Sequence, residues 1–166
     1  MIGLFVLQPG ILPAQNTTFK PSRDTLFVVD GEPVDNIKTL SANSILIVSV
    51  LKENALKEST FCTPLKCAVV VNTIKGAIKT YQKRFGDLSD NYRKYLLFNH
   101  DSDDLVTYYV NTKPLPNQDK KTIKTLFAIR QEDMREFRFD IALNTSDAKN
   151  ADLRGLKCSV SIITKK

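Results

Sequence analysis

Residues 73–98, TIKGAIKTYQKRFGDLSDNYRKYLLF, hold the one long helical period of the chain, and runs with the character of β-strands lie on both sides of it. At about 100° per residue, Ile74, Ile78, Tyr81, Phe85 and Leu88 fall within roughly 80° of one another, the apolar stripe of an amphipathic helix. Lys75, Lys79 and Lys83 recur at four-residue steps, one above another on a flank turned to solvent. Asn72 or Thr73 suits the N-cap, and Gly86 stands where a left-handed C′ residue would close the helix. Two helices are therefore expected. Asp87 or Ser89 caps the second, Asp90 favours its positive end, and Arg93 and Lys94 suit its later turn.

Upstream, Ile2–Leu7 and Thr25–Val29 read as strands separated by a loop rich in Pro, Asn, Thr and Ser. Asp30-Gly31 opens a turn, and DGEPVDNIKTLSANS continues irregularly to Ile45–Leu51, which is bounded like a buried strand. Lys52–Thr60 is polar enough for a short helix or loop, and Cys67–Val71 is a fourth strand whose backward extension Pro64 limits. Downstream, Leu105–Val110 is a fifth strand, rich in β-branched and aromatic residues. NTKPLPNQDKK is expected as loop, because Pro114 and Pro116 interrupt a ladder. Ile123–Ile129 is expected as a sixth strand, with Ile123, Thr125, Phe127 and Ile129 on one face. In the last two strands, Phe137, Phe139, Ile141 and Leu143 oppose Arg138, Asp140 and Ala142. Likewise Leu156, Cys158, Val160 and Ile162 oppose Lys157, Ser159 and Ser161. One wet face is the mark of antiparallel sheets. No period of about 20 to 50 residues recurs, which argues against a solenoid or propeller.

The fold expected is a single domain over residues 1–166. It is mainly β, an antiparallel two-sheet β-sandwich of jelly-roll type with about eight strands and a helical insertion at about residues 73–97. A chain of this length buries about 70% of its unfolded surface and needs neither disulfides nor metal to hold it. The longest apolar runs, such as Ile45–Val48 and Ala68–Val71, fall far short of the roughly 18 residues of a membrane span. MIGLFVLQPG lacks the basic residue and the length of a signal peptide. Cys62, Cys67 and Cys158 leave one thiol unpaired under any disulfide scheme, which favours a reducing, intracellular or virion setting. Asn16 and Asn144 head sequons that matter only in a secreted chain.

The net charge of +6 is unevenly placed. Residues 1–61 carry 5 basic and 6 acidic side chains, residues 62–98 carry 7 and 2, and residues 99–166 carry 12 and 10. The excess lies on the helical insertion, where it attracts polyanions by long-range field or serves simply as a solvated face. Catalytic motifs are missing from the sequence. His100, the single histidine, stands in a turn with Asp101, Asp103 and Asp104, and neither a nucleophile elbow, a calcium loop nor a glycine-rich phosphate loop occurs. A zinc site from Cys62 and Cys67 would have to recruit Cys158 and His100 from far along the chain, and Cys158 reads better as a buried thiol.

These readings lead to a non-enzymatic structural or assembly protein without cofactor or metal. It contacts nucleic acid through Lys75, Lys79, Lys83, Arg84, Arg93 and Lys94. Its architecture is similar to that of single-jelly-roll coat proteins of small viruses, which also have eight strands and carry a helix between the fourth and fifth. The likeness is one of architecture, with no shared motif and no basic N-terminal arm. The alternatives are a monomeric accessory protein for single-stranded nucleic acid, with Tyr81, Tyr92 and Tyr95 near the cations, or a protein-interaction module that uses an exposed sheet edge.

Overall fold

The structure, a computed structural model, describes residues 25–52, 67–116, 119–141 and 156–165. The first strand, β1 (Thr25–Val29), turns back into β2 (Glu32–Val34) through Asp30 (φ 52°) and Gly31 (φ 92°). Positive φ at both central residues makes the tight hairpin turn whose twist matches the strands. β3 (Ile45–Lys52) follows a short 3-10 turn, and β4 (Cys67–Thr73) runs directly into helix α1 (Ile74–Leu88). α2 (Asp90–Phe98) leads to a second hairpin, β5 (Val106–Val110) and β6 (Lys113–Pro114), turned by Asn111 and Thr112 with φ 49° and 67°. α3 (Lys120–Ala128), another 3-10 turn, β7 (Met134–Ile141) and β8 (Cys158–Thr164) complete the described elements.

The strands form two four-stranded sheets, ordered β2-β1-β4-β3 and β6-β5-β8-β7. Each has a parallel central pair, β1 with β4 and β5 with β8, flanked by antiparallel neighbours. The expected mainly β character is present and the described residues hold eight strands, but two of them, β2 and β6, are not among the eight expected, and the sheets are mixed, not wholly antiparallel. Alternation reports which face is wet; it carries no information on the direction of the neighbouring strand.

Strand for strand, the second sheet repeats the first. Thr25 faces Cys67 as Val106 faces Cys158, and the register slips after Ile45 as it slips after Met134. The hairpin clasps match as well. Asp30 donates its N–H to the Val71 carbonyl and Asn111 donates to that of Ile162, each at 2.9 Å. Thr73 donates its N–H to Asp30 Oδ1 at 2.7 Å, and Thr164 donates to Asn111 Oδ1 at 3.0 Å. Among the described residues the strands thus make two copies of one four-stranded unit, joined by α1 and α2.

One face of the second sheet lies under all three helices. Ala77, Tyr81 and Phe85 of α1, Tyr92 and Tyr95 of α2, and Ile123 and Leu126 of α3 pack on Val106, Tyr108, Val160 and Ile162 in one buried cluster. Leu26 and Ala68 of the first sheet form a separate, smaller cluster with Val28 and Leu51.

Three sequence expectations change. Ile123–Ile129 is helix, not strand: Asp119 caps it by accepting the Thr122 N–H at 2.6 Å, and Thr122, Ile123 and Leu126 are the side turned inward. Gly86 lies inside α1, which runs on to Leu88; Ser89 both ends α1 and caps α2. β2 and β6 arise in segments read as irregular, because a hairpin arm of two or three residues leaves no alternation to detect. The expected strand at Ile2–Leu7, the segment 53–60, and Ala142 and Leu143 lie outside the described residues.

Candidate nucleic-acid interface

The rotation of α1 is set where it leaves β4. Thr73 accepts the Gly76 N–H at 2.9 Å as N-cap, while its own hydroxyl donates to Asp30 Oδ2 at 2.6 Å. With Ala77, Tyr81 and Phe85 buried against the second sheet, Lys75, Lys79 and Lys83 point outward and are exposed. Among the described residues these three, and the exposed Lys94 on α2, meet no carboxylate at ion-pair distance.

The two arginines expected in the interface are engaged elsewhere. Arg84 Nη1 donates to the carbonyls of Phe127, at 3.3 Å, and Ile129, which closes the C-terminal end of α3. Its burial lowers its pKa from the usual value, against the raising pull of Glu132 and Asp133. Arg93 pairs with Asp90 on the surface at 2.5 Å. Arg84 is a structural residue, and Arg93 brings its own counter-charge.

Three lysines that sequence reading left out are also exposed. Lys120, Lys121 and Lys124 are exposed on α3, which carries no acidic residue. Lys120 Nζ reaches the Ile45 carbonyl at 3.4 Å, and Ile45 is the register partner of Thr73, the cap of α1. The other ends are joined by Arg84. α1 and α3 therefore lie side by side and run in the same direction, and both show lysines on the side away from the sheet. The nearest acids beyond α3, Glu132 and Asp133, bind Arg130 at 3.3 and 2.9 Å, and its hydrogen bond holds the Asp133 carboxyl below the usual range. The signal that could have found α3 was Asp119 followed three residues later by Thr122, with apolar Ile123 and Leu126 beyond.

Neither protein-family models, nor curated proteins, nor solved structures match this chain.

The three tyrosines expected near the cations give no stacking surface, since Tyr81, Tyr92 and Tyr95 are all buried. Their hydroxyls serve the interior. Tyr81 donates to Asp103 Oδ2 at 2.9 Å, Tyr108 donates to the same oxygen, and Tyr92 and Tyr108 share a hydrogen bond at 2.8 Å. Asp103 is only 2% exposed. Burial first, and then the Asp103 charge, push the Tyr81 and Tyr92 hydroxyls well above their ordinary pKa, and burial does the same for Tyr108. A carboxylate sealed by tyrosine donors pins α1, α2 and β5 together.

His100 and Asp101 occupy left-handed backbone, φ 54° and 60°, in the exposed turn after α2. Cys158 is buried, which raises its thiol to about 11, and Cys67 shares a 3.2 Å contact with the Thr25 hydroxyl. Cys62 is outside the described residues. Among the described residues no group of three or more His, Cys, Asp or Glu side chains is placed to hold a metal ion, and no helix is long and apolar enough to cross a membrane.

Proposed function

We propose that this is a non-enzymatic protein that contacts nucleic acid through the outer face of α1 and α3. The observation that carries the reading is the row Lys75, Lys79 and Lys83 on α1, exposed and with no carboxylate at ion-pair distance among the described residues, together with Lys121 and Lys124 exposed on α3. Such a face engages phosphates and releases counterions without reading bases. Burial of the three tyrosines removes the stacking they would have offered a single strand, so the contact of this face is chiefly one of charge, indifferent to sequence. The assembly form of the reading, a small viral coat protein built on a sandwich of the two sheets, draws its support from eight strands in a short chain. The parallel central pairs count against a jelly roll, and the accessory-protein form is preferred.

The test is the salt dependence of binding to a duplex and to a single strand, read by fluorescence anisotropy. Each neutralised phosphate contributes about 0.9 to the log–log slope on duplex and about 0.7 on single strands. Replacing Lys75, Lys79 and Lys83 with Gln together should lower the duplex slope by about 2.7 and leave the far-ultraviolet spectrum unchanged. A slope that does not move rejects this face. Sedimentation at rising concentration, with the 260/280 absorbance ratio, separates a coat particle from a lone accessory protein.

A further inference from the structure

Of the four strands at sheet edges, three are protected against pairing with another chain. β2 and β6 are three and two residues long and contain Pro33 and Pro114, which have no N–H to donate. β7 is eight residues long, and Arg135, Glu136, Arg138 and Asp140 stand exposed along it. Charges so placed keep a second strand away. β3 has the same length and the equivalent place in the first sheet, yet residues 45–51 read ILIVSVL, without a charge or a proline.

The outer side of this strand is open. Lys120 donates to the Ile45 carbonyl at one end; beyond it, among the described residues, no turn or loop backbone bonds to the side of β3 turned from β4. Val48 and Val50 stand 52% and 61% exposed on one face, with half-buried Ser49 between them on the other. A row of unpaired N–H and C=O groups is completed by another β-strand.

We infer that β3 pairs antiparallel with β3 of a second copy of this chain, about a two-fold axis at Ser49, to give one continuous eight-stranded sheet. The strand is self-complementary about that axis. Val48 falls opposite Val50 of the second copy and Val50 opposite its Val48, so the exposed valines cover one another as cross-strand pairs. On the other face Leu51, part of the small cluster with Leu26 and Ala68, falls opposite Ile47 of the second copy, and the cluster continues across the axis. The two Lys52 side chains stand six residues apart along the strands, roughly 20 Å, and no like charges meet. Two-fold pairing closes on itself. The edges of the joined sheet are then the two short β2 strands, so growth stops at two copies. The pairing asks nothing of the lysines on α1 and α3, and its failure leaves the nucleic-acid reading where it stands.

The first measurement is native mass by sedimentation velocity from about 1 to 200 μM, which should rise from one chain to two and no further. Val48→Lys with Val50→Lys should hold the protein at one copy, as should Val48→Glu with Val50→Glu, because like charges then face each other across the axis. Mixing these two variants should restore a dimer with one copy of each, since every lysine then meets a glutamate. Ser49→Cys keeps both valines and brings two thiols together on the axis, so mild oxidation should link it as a dimer well beyond the level of the parent chain. Arg138→Cys, at the matching place on β7, should link no more than the parent. A mass of one chain throughout, a mass that grows past two, or a dimer that both charged variants retain overturns the inference. So does a mixture of folded charged variants that stays at one copy. Should the charged variants unfold, Ser49→Cys decides alone, and linkage no greater than the parent's overturns the pairing.

Discussion

Asp30 and Gly76 are paired by contact, not by sequence distance. A methyl group added at Gly76 would stand 2.0 Å from the Asp30 carboxyl carbon, so Gly76→Ala must break the clasp that holds β1 to the start of α1. The expected loss is about 2 kcal/mol in urea unfolding. Gly86→Ala should do the reverse, because its new methyl meets Arg93 Cβ at an ordinary 3.6 Å and a helical glycine costs about 0.5–1 kcal/mol. At the tyrosine cluster, the hydroxyls of Tyr81, Tyr92 and Tyr108 are neutral when folded and ionise far above their ordinary value. A folded pKa raised above the unfolded one of about 10 supplies stability that is whole below pH 10 and drains away as pH climbs past it. Alkaline titration at 295 nm should show these tyrosines ionising together with loss of tertiary structure, and Tyr108→Phe should cost about 1–3 kcal/mol by leaving Asp103 short of a donor.

At the scale of elements, helix α3 is where pattern and structure part. Ile123, Thr125, Phe127 and Ile129 alternate like a strand, yet the buried set is Thr122, Ile123 and Leu126, spaced as on a helix. A nine-residue segment satisfies both periods, and the Asp119 cap settles it. That cap titrates: its bonds from Thr122 hold the Asp119 carboxyl below the usual range. Its contribution is therefore present above the ordinary carboxylate pKa of about 4 and fades as pH falls through the lower folded value. Helical ellipticity should decline in that acid window, and Asp119→Asn should flatten the decline. β1, β3, β4, β5 and β8 were legible because β-branched runs bounded by turn residues have one reading. The helices α1 and α2 were legible as well, through a stripe long enough to have one period. Of the proposed interface, the exposure of the α1 lysines could be read, while the engagement of Arg84 could not, because its partners are carbonyls of Phe127 and Ile129 more than forty residues away.

Over the whole molecule, the repetition of the sheets escaped the sequence because so few aligned residues agree. Thr73 and Thr164, or Cys67 and Cys158, match in type, but Phe27 stands for Tyr108 and Leu51 for Asp140. Register and hairpin geometry are shared where side chains are not. The unequal cores carry their own consequence: the large cluster is on the second sheet and the small one on the first. Native-state hydrogen exchange should find the amides of Tyr108, Val160 and Ile162 opening only with global unfolding, and those of Leu26 and Val28 opening at lower free energy.

The placement of β8 between β5 and β7 also orders events in time. α1 and α2 are synthesised well before the strand that completes the surface beneath them, so a growing chain carries Tyr81, Phe85 and Tyr92 without their final cover until residues 158–164 emerge. A chain stopped after Ile141 should therefore be captured by holdase chaperones or precipitate, and adding a synthetic peptide of residues 156–165 should return it to solution.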